Sequence, residues 1–190
     1  MTKTKSGTKS AFMLIIALLI IAAAAYAGYT FMQVKAGGEH ADEVLETLRR
    51  SIPNVGVDTG ASTGQGRDPL PQLVIADKDI VGCIDIPAID VTAPVTIKGQ
   101  EEEGFATLES GSPIKGSLKI AGGRYDVFLK LSKANPGDTV SFTDIDGVRY
   151  NYRVLTQFHL KEWDEADEDL MLCYQTDDET EFVVGCKAEQ

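Results

Sequence analysis

The sequence predicts a mainly β protein: a barrel of seven or eight short strands with one or two short helices, preceded by an apolar N-terminal helix. Two observations predict the barrel. Short apolar runs alternate with turn residues from Leu73 onward, and Asp146-Gly147 between two of these runs is a strong hairpin signal. The helix is predicted because no charged side chain occurs between Ala11 and Met32.

Residues 11–33 are predicted to be a transmembrane anchor. The 22 residues from Ala11 to Met32 would rise about 33 Å as a helix, and a hydrocarbon core is about 30 Å thick. Residues 1–10 carry lysines and no acid. They are therefore expected to form a cytoplasmic basic tail, with the remainder of this single-pass chain outside the cell membrane. The alternative is a cleaved signal peptide, because Ala25-Tyr26-Ala27 resembles a small-residue cleavage site.

The charge of the predicted exported part excludes one class of partner. After Gln33 the chain has 15 basic residues against 29 acidic ones, a net charge of −14. A nucleic-acid binder needs a basic face for the phosphate backbone, so no nucleic-acid partner is predicted.

Residues 34–72 are predicted to be a juxtamembrane helix and a linker. The run from Glu39 to Arg50 has Val44, Leu45 and Leu48 on one face of a helix. From Ser51 to Gln72 the chain is rich in turn-forming and small polar residues and has no apolar periodicity, which is typical of a linker.

Residues 73–190 are predicted to be the barrel domain. A short helix is expected from Asp126 to Ala134, because Pro136-Gly137 follows it. The predicted strands are residues 80–86, 91–97, 118–121, 139–143, 148–154, 170–174 and 182–186.

Three cysteines, Cys83, Cys173 and Cys186, are too few for a disulfide scaffold, and the sequence does not choose a pair among them. There is no Cys-x-x-Cys motif and there are only two histidines, so neither a structural zinc site nor another cofactor is predicted.

Several segments, in their order and spacing, resemble the sortases, which are membrane-anchored cysteine transpeptidases of Gram-positive bacteria. The run from Val81 to Val91, followed by Ala93-Pro94-Val95, is similar to the first two strands of that family. Ala121-Gly122-Gly123-Arg124 is similar to the Ala-Gly-His-Arg segment of that family. Residues 131–138 are similar to the Leu-x-x-Leu-x-x-Gly-Asp sequence that follows this segment in the family. Leu170-x-x-Cys173 resembles the end of its Thr-Leu-x-Thr-Cys strand.

The resemblance implies a thiol nucleophile, a histidine acid or base, and an arginine that steadies the oxyanion or the substrate. Here the thiol position corresponds to Cys173, the histidine position holds Gly123, and the arginine position holds Glu181. Glycine moves no proton, and a carboxylate repels a thiolate. The site is therefore predicted to be degenerate. A second register, with Gln175 at the nucleophile position, stays open and is equally incomplete.

Three further residues are predicted contacts of a groove or a partner. His159 would act as a replacement base only if the following loop folds back, Arg124 corresponds to a non-catalytic arginine of the family, and Trp163 is either an exposed contact or a core residue. The acidic runs 101–103, 164–169 and 177–179 offer calcium ligands, although solvated loops or a face for a basic partner are favoured over a calcium site.

The sequence thus favours a sortase-like surface module that binds an extended peptide or a surface protein, such as a pilin or another sortase, without transpeptidase chemistry. One alternative is a divergent active transpeptidase that uses Cys173 to attach surface proteins to the cell wall or pili. The other is a purely structural surface module.

Overall fold

A computed structural model describes residues 7–52, 66–123, 127–160, 168–176 and 180–189. The chain divides into two compact units, Met1–Ala36 and Gly37–Gln190. Of the predicted linker, residues 51–72, the part from 53 to 65 lies outside the described residues. Ser51 is the last residue of a helix, and Leu70 is buried in the barrel core.

The N-terminal unit contributes the first part of one helix, α1, which runs from Gly7 to Ser51. Its described large apolar side chains are exposed, among them Leu18, Ile20 and Met32. In the part of the chain that the structure describes, a search for helices with the length and hydropathy needed to cross a bilayer finds none.

The second unit contains the end of α1 and the barrel. Residues 37–52, which the sequence analysis assigned to a separate juxtamembrane segment, pack with the barrel in this unit. The predicted amphipathic face is confirmed, because Val44, Leu45 and Leu48 are all buried.

Among the described residues, nine strands form one sheet in the order β1-β2-β3-β4-β5-β8-β9-β7-β6. An added pairing of β2 with β6 closes the last eight strands of this order into a barrel, and β1 extends β2. Neighbouring strands are antiparallel except β3–β4 and β5–β8. The strands are β1 Leu73–Ile75, β2 Lys78–Ile86, β3 Val91–Ile97, β4 Ala106–Ser110, β5 Leu118–Gly122, β6 Thr139–Asp144, β7 Arg149–Leu160, β8 Leu170–Gln175 and β9 Glu181–Ala188.

Two short 3₁₀ helices accompany the sheet, Pro87–Ile89 and Val127–Lys133. The second lies where the sequence predicts a helix, and its Phe128 and Leu131 are fully buried. The predicted β6–β7 hairpin is also present: Gly147 adopts φ +82°, and its N–H donates to the Asp144 carbonyl oxygen at 3.0 Å.

The mainly β barrel is therefore confirmed, with eight closed strands. β1 and β4 were not predicted from the sequence, because both are short, with three and five residues. The barrel interior is filled from every side by aliphatic and aromatic side chains, the largest of which include Phe128, Phe142, Ile84, Ile86 and Ile120.

We expect Ile84→Ala to lower the free energy of unfolding by about 2–5 kcal/mol, because Ile84 is fully buried in β2, which pairs with both β3 and β6. Urea denaturation of the full chain measures this change. Leu155→Ala is the control, since Leu155 is 47 % exposed, and it should cost less than about 0.5 kcal/mol. Equal losses in the two variants would contradict this description of the core.

Candidate functional site

The three positions of the predicted degenerate site come together on neighbouring strands. β8 lies between β5 and β9, and Cys173 of β8 is directly opposite Ala121 of β5 and Val183 of β9. Gly123 follows β5 two residues after Ala121, and Glu181 begins β9 two residues before Val183. Because side chains alternate between the faces of a strand, all three positions lie on the same face of the sheet.

This face is the outer face of the barrel. Leu172, the residue before Cys173, belongs to the barrel core, so Cys173 points the other way. There it packs with Met171 and Val183 in a small apolar cluster that also includes Ala121 and Phe158. The Cys173 side chain is only 1 % exposed. The Cys173 thiol therefore lies on the outer face of the barrel and is covered by this cluster.

The surroundings of Cys173 disfavour a thiolate. Burial raises the pKa of the Cys173 thiol far above its usual value, and the carboxylates of Glu181 and Glu109 raise this pKa further. Among the described residues that influence this thiol, one is cationic, Lys119, and it opposes the shift only weakly. A reactive cysteine has the reverse setting, with a depressed pKa in an electropositive environment.

The second register is also defined by the strand pairing. Gln175 is directly opposite Glu181, with its side chain on the same outer face and exposed. Cys173 and Gln175 therefore point the same way, two residues apart on β8. With either residue at the nucleophile position, the neighbouring positions are a glycine and a carboxylate.

The β7–β9 pairing does not place His159 beside the Cys173 thiol. His159 is directly opposite Phe182 in this pairing, and its ring meets the Phe182 ring edge-on at 5.2 Å between centroids. Phe182 packs in the barrel core, whereas its neighbour Val183 faces Cys173. His159 and Cys173 therefore lie on opposite faces of the sheet. The other two predicted contacts, Arg124 and Trp163, lie outside the described residues.

All three cysteines are free and buried, so no disulfide joins any pair of them. Burial raises the pKa of Cys83 to about 12, and burial with the nearby Glu168 raises the pKa of Cys186 to about 12. Cys186 packs in the barrel core, and Cys83 packs beneath α1.

A cavity of about 320 Å³ lies beside the apolar cluster of Cys173, a feature that the sequence analysis missed. The cavity and the cluster share Ala121 of β5, which is directly opposite Cys173 of β8 on one side and Thr107 of β4 on the other. The acidic run 101–103 was the part of the cavity lining that stood out in the sequence, because β4 was not predicted. The cavity is lined by Glu101, Glu102, Glu103, Phe105, Thr107, Glu109, Ala121, Gly122 and Gly123.

Two of the glutamates that line this cavity accept hydrogen bonds from histidine or lysine side chains. Glu102 accepts from His40 and from Lys78, each at 2.8 Å, and Glu109 accepts from Lys98 at 2.8 Å. Among the described residues, no three His, Cys, Asp or Glu side chains come together in a way that would hold a metal ion. Residues 164–167 and 177–179, most of two acidic runs considered for calcium, lie outside the described residues.

Glycine is required at position 122 for a local steric reason. A Cβ atom there would lie 2.8 Å from the Phe128 side chain, so the second 3₁₀ helix packs directly on the β5 backbone. This contact fixes the end of β5, and hence the place of Gly123.

Comparison with known proteins establishes the fold. Neither a protein-family model nor a curated protein matches the sequence. Solved structures do match it. Sortase A from Corynebacterium diphtheriae is 19 % identical, with a TM-score of 0.53, and the match covers 88 % of this chain and 95 % of that one. The Clostridium perfringens sortase D5 transpeptidase is 20 % identical, with a TM-score of 0.51, over 59 % of this chain and 80 % of that one.

A third solved structure, the lid mutant of Streptococcus agalactiae sortase C1, is 18 % identical with a TM-score of 0.53. That match covers 84 % of this chain and 89 % of that one. The protein therefore has the sortase fold, as the sequence motifs predicted.

The buried thiols predict how stability changes with pH. A thiol whose pKa is higher in the folded than in the unfolded state stabilises the fold fully below the unfolded pKa, about 9, and loses that contribution as the pH rises further. We expect the free energy of unfolding to fall between pH 8.5 and 10, by at most about 1.4 kcal/mol per pH unit for each thiol. Denaturant titrations at several pH values measure this slope.

Cys186→Ala provides the matched control for this pH dependence. The variant should be less stable at neutral pH because it leaves a cavity. Between pH 8.5 and 10 its free energy of unfolding should fall less steeply than that of the wild type, because one of the three buried thiols that resist ionisation is gone. An unchanged slope would show that the thiols do not govern the alkaline loss of stability.

Proposed function

We propose that this protein is a sortase-like domain that has lost transpeptidase chemistry and binds an extended peptide or a surface protein on the outer face of β5 and β8. The observation that carries the proposal is the setting of Cys173. The residue at the nucleophile position is buried, its pKa is raised, and the carboxylates of Glu181 and Glu109 lie near it.

The chemistry of acyl transfer explains why this setting argues against catalysis. The thiol must lose its proton before attack, a positioned group must then protonate the leaving amine, and donors must stabilise the developing oxyanion. Gly123 has no side chain for the proton transfer, and Glu181 brings a negative charge where negative charge develops. Loss of one member of such a constellation usually costs several orders of magnitude in rate.

Binding does not need those groups. An extended peptide beside a sheet gains main-chain hydrogen bonds, while pockets that receive alternate side chains supply specificity. The outer face offers a small apolar cluster around Cys173 and an adjoining acidic cavity of about 320 Å³. These features support a peptide sorting motif, a segment of a pilin, or another sortase as the partner.

We also propose that residues 11–33 anchor the chain in the cell membrane with residues 1–10 in the cytoplasm and the barrel outside. The uncharged run from Ala11 to Met32 and the lysines before it support this arrangement. The net charge of −14 after Gln33 suits an exported domain that stays soluble or meets a basic partner.

We expect a peptide carrying a sortase sorting motif to bind the full chain without being cleaved. Mass spectrometry should detect the same background hydrolysis and transfer for the wild type and for Cys173→Ala, because the thiol does not act as a nucleophile. Turnover by the wild type above the Cys173→Ala level would overturn the proposal and establish a divergent transpeptidase.

Binding of the same peptide is tested by fluorescence anisotropy. Ala121→Arg introduces a long side chain opposite Cys173 and should weaken binding by about ten-fold or more, which is about 1.4 kcal/mol. Leu155→Arg changes an exposed residue of β7 and should leave the affinity within two-fold of the wild type, an order-of-magnitude expectation for a surface change. No binding at all, or equal weakening by the two variants, would favour a purely structural module.

The anchor is tested by fractionation of cells that express the full chain. We expect the protein to remain in the membrane pellet after alkaline carbonate washing, and the barrel to be degraded by protease added to intact protoplasts. Leu18→Arg with Leu19→Arg should release the chain from the pellet, because charges at the centre of a span are costly. Release of the unaltered chain by the wash, or protection of its barrel, would contradict the proposed topology.

A further inference from the structure

The C-terminal part of α1 is seated on the outside of the barrel. Val44 and Leu48 are fully buried there, and they belong to one apolar cluster with Ile80, Cys83 and Phe105. Residues 37–52, named here the docked segment, therefore cover the Cys83 thiol, which is only 2 % exposed.

Polar contacts add a second attachment at the start of the docked segment. His40 Nδ1 lies 2.8 Å from Glu102 Oε1, and Lys78 Nζ lies 2.8 Å from the other oxygen of the same carboxylate. The His40 ring also meets the Phe105 ring edge-on, with 5.5 Å between centroids, and Lys78 Nζ lies 5.9 Å from the Phe105 centroid. These four residues, His40, Lys78, Glu102 and Phe105, are named here the latch.

The charge state of Glu102 agrees with this geometry. Burial raises the pKa of the Glu102 carboxyl, but the hydrogen bonds from Lys78 and His40 outweigh burial and bring the pKa below its usual value. The carboxylate is therefore ionised at neutral pH and holds both donors.

The latch is also part of the cavity wall. Glu102 and Phe105 both line the cavity beside the Cys173 cluster, and the Phe105 N–H donates to the Glu102 carbonyl oxygen at 3.1 Å. The rest of this loop is tied to β2, because Gln100 and Asp79 exchange two hydrogen bonds of 2.7 Å. One side of the loop thus contacts the docked segment, and the other side forms the cavity.

We propose that the latch couples the docking of residues 37–52 to the shape of the cavity. When the docked segment leaves the barrel, Glu102 and Phe105 lose their contacts with His40 and with the apolar face of α1. The wall between residues 101 and 105 then becomes less ordered. The coupling does not depend on whether the cavity binds a peptide or on whether Cys173 reacts.

The three free thiols make the coupling measurable in the full chain. Cys83 lies beneath the docked segment, whereas Cys173 and Cys186 pack in separate clusters. The rate at which an alkylating reagent modifies Cys83, read by peptide mass spectrometry, therefore reports local opening of the docked segment. Hydrogen exchange at the Phe105 amide reports the order of the cavity wall.

We expect His40→Ala to raise both the Cys83 modification rate and the Phe105 exchange rate by about two- to five-fold, the range for a partly exposed ion pair. Leu48→Ala removes apolar packing at the other end of the segment and should raise both rates by about ten-fold or more. Glu46→Ala removes the exposed Glu46–Arg50 pair of the same helix and should change neither rate.

Two results would overturn the proposal. The first is an increase of Cys83 modification in His40→Ala and Leu48→Ala without any increase of Phe105 exchange, since docking would then be independent of the cavity wall. The second is a parallel increase for Cys83, Cys173 and Cys186, since that pattern reports global unfolding. His40→Ala keeps the test valid if Leu48→Ala fails to fold, because its latch position is partly exposed.

Discussion

The position of β8 between β5 and β9 is the constraint on which the site depends. β8 is parallel to β5 and antiparallel to β9, and this pairing sets which residues share a face. Leu170 and Leu172 fill the barrel core, so Met171 and Cys173 must point outward. A shift of one residue would exchange the two sets and remove the leucines from the barrel core. The side chains of the barrel core thus fix the place of Cys173, which lies outside that core in its own apolar cluster.

The setting of Cys173 combines burial with negative charge. Strand pairing brings positions 123, 173 and 181 to one face, where a glycine and a glutamate flank the thiol. Lys119 is the cation that influences the thiol among the described residues, and its effect is outweighed by burial and by two carboxylates. The pairing of the strands accommodates a glycine and a glutamate at these positions, because neither residue belongs to the barrel core.

Much of the fold could be predicted from the sequence because its signals are local. The Asp144–Gly147 turn specifies the hairpin, and the spacing of Val44, Leu45 and Leu48 specifies a helix face. The site positions were predicted by motif order, and strand pairing then brought them together. The cavity was not predicted, because it depends on the pairing of β4 with β5, which brings residues 101–109 beside residues 121–123. The face of His159 could not be predicted either, since it depends on the register between β7 and β9, which local sequence does not encode.

The parallel pairing of β5 with β8 has a consequence for how the protein reaches this structure. Contacts between segments distant in sequence form late, because closing a long loop costs entropy before any contact repays it. Leu118 of β5 pairs with Leu170 of β8, and the whole β6–β7 hairpin lies between them in the sequence. This pairing is therefore expected to form late. A chain in which this pair has not formed would expose the edges of β5 and β8, and the net negative charge of the domain would oppose association of such chains.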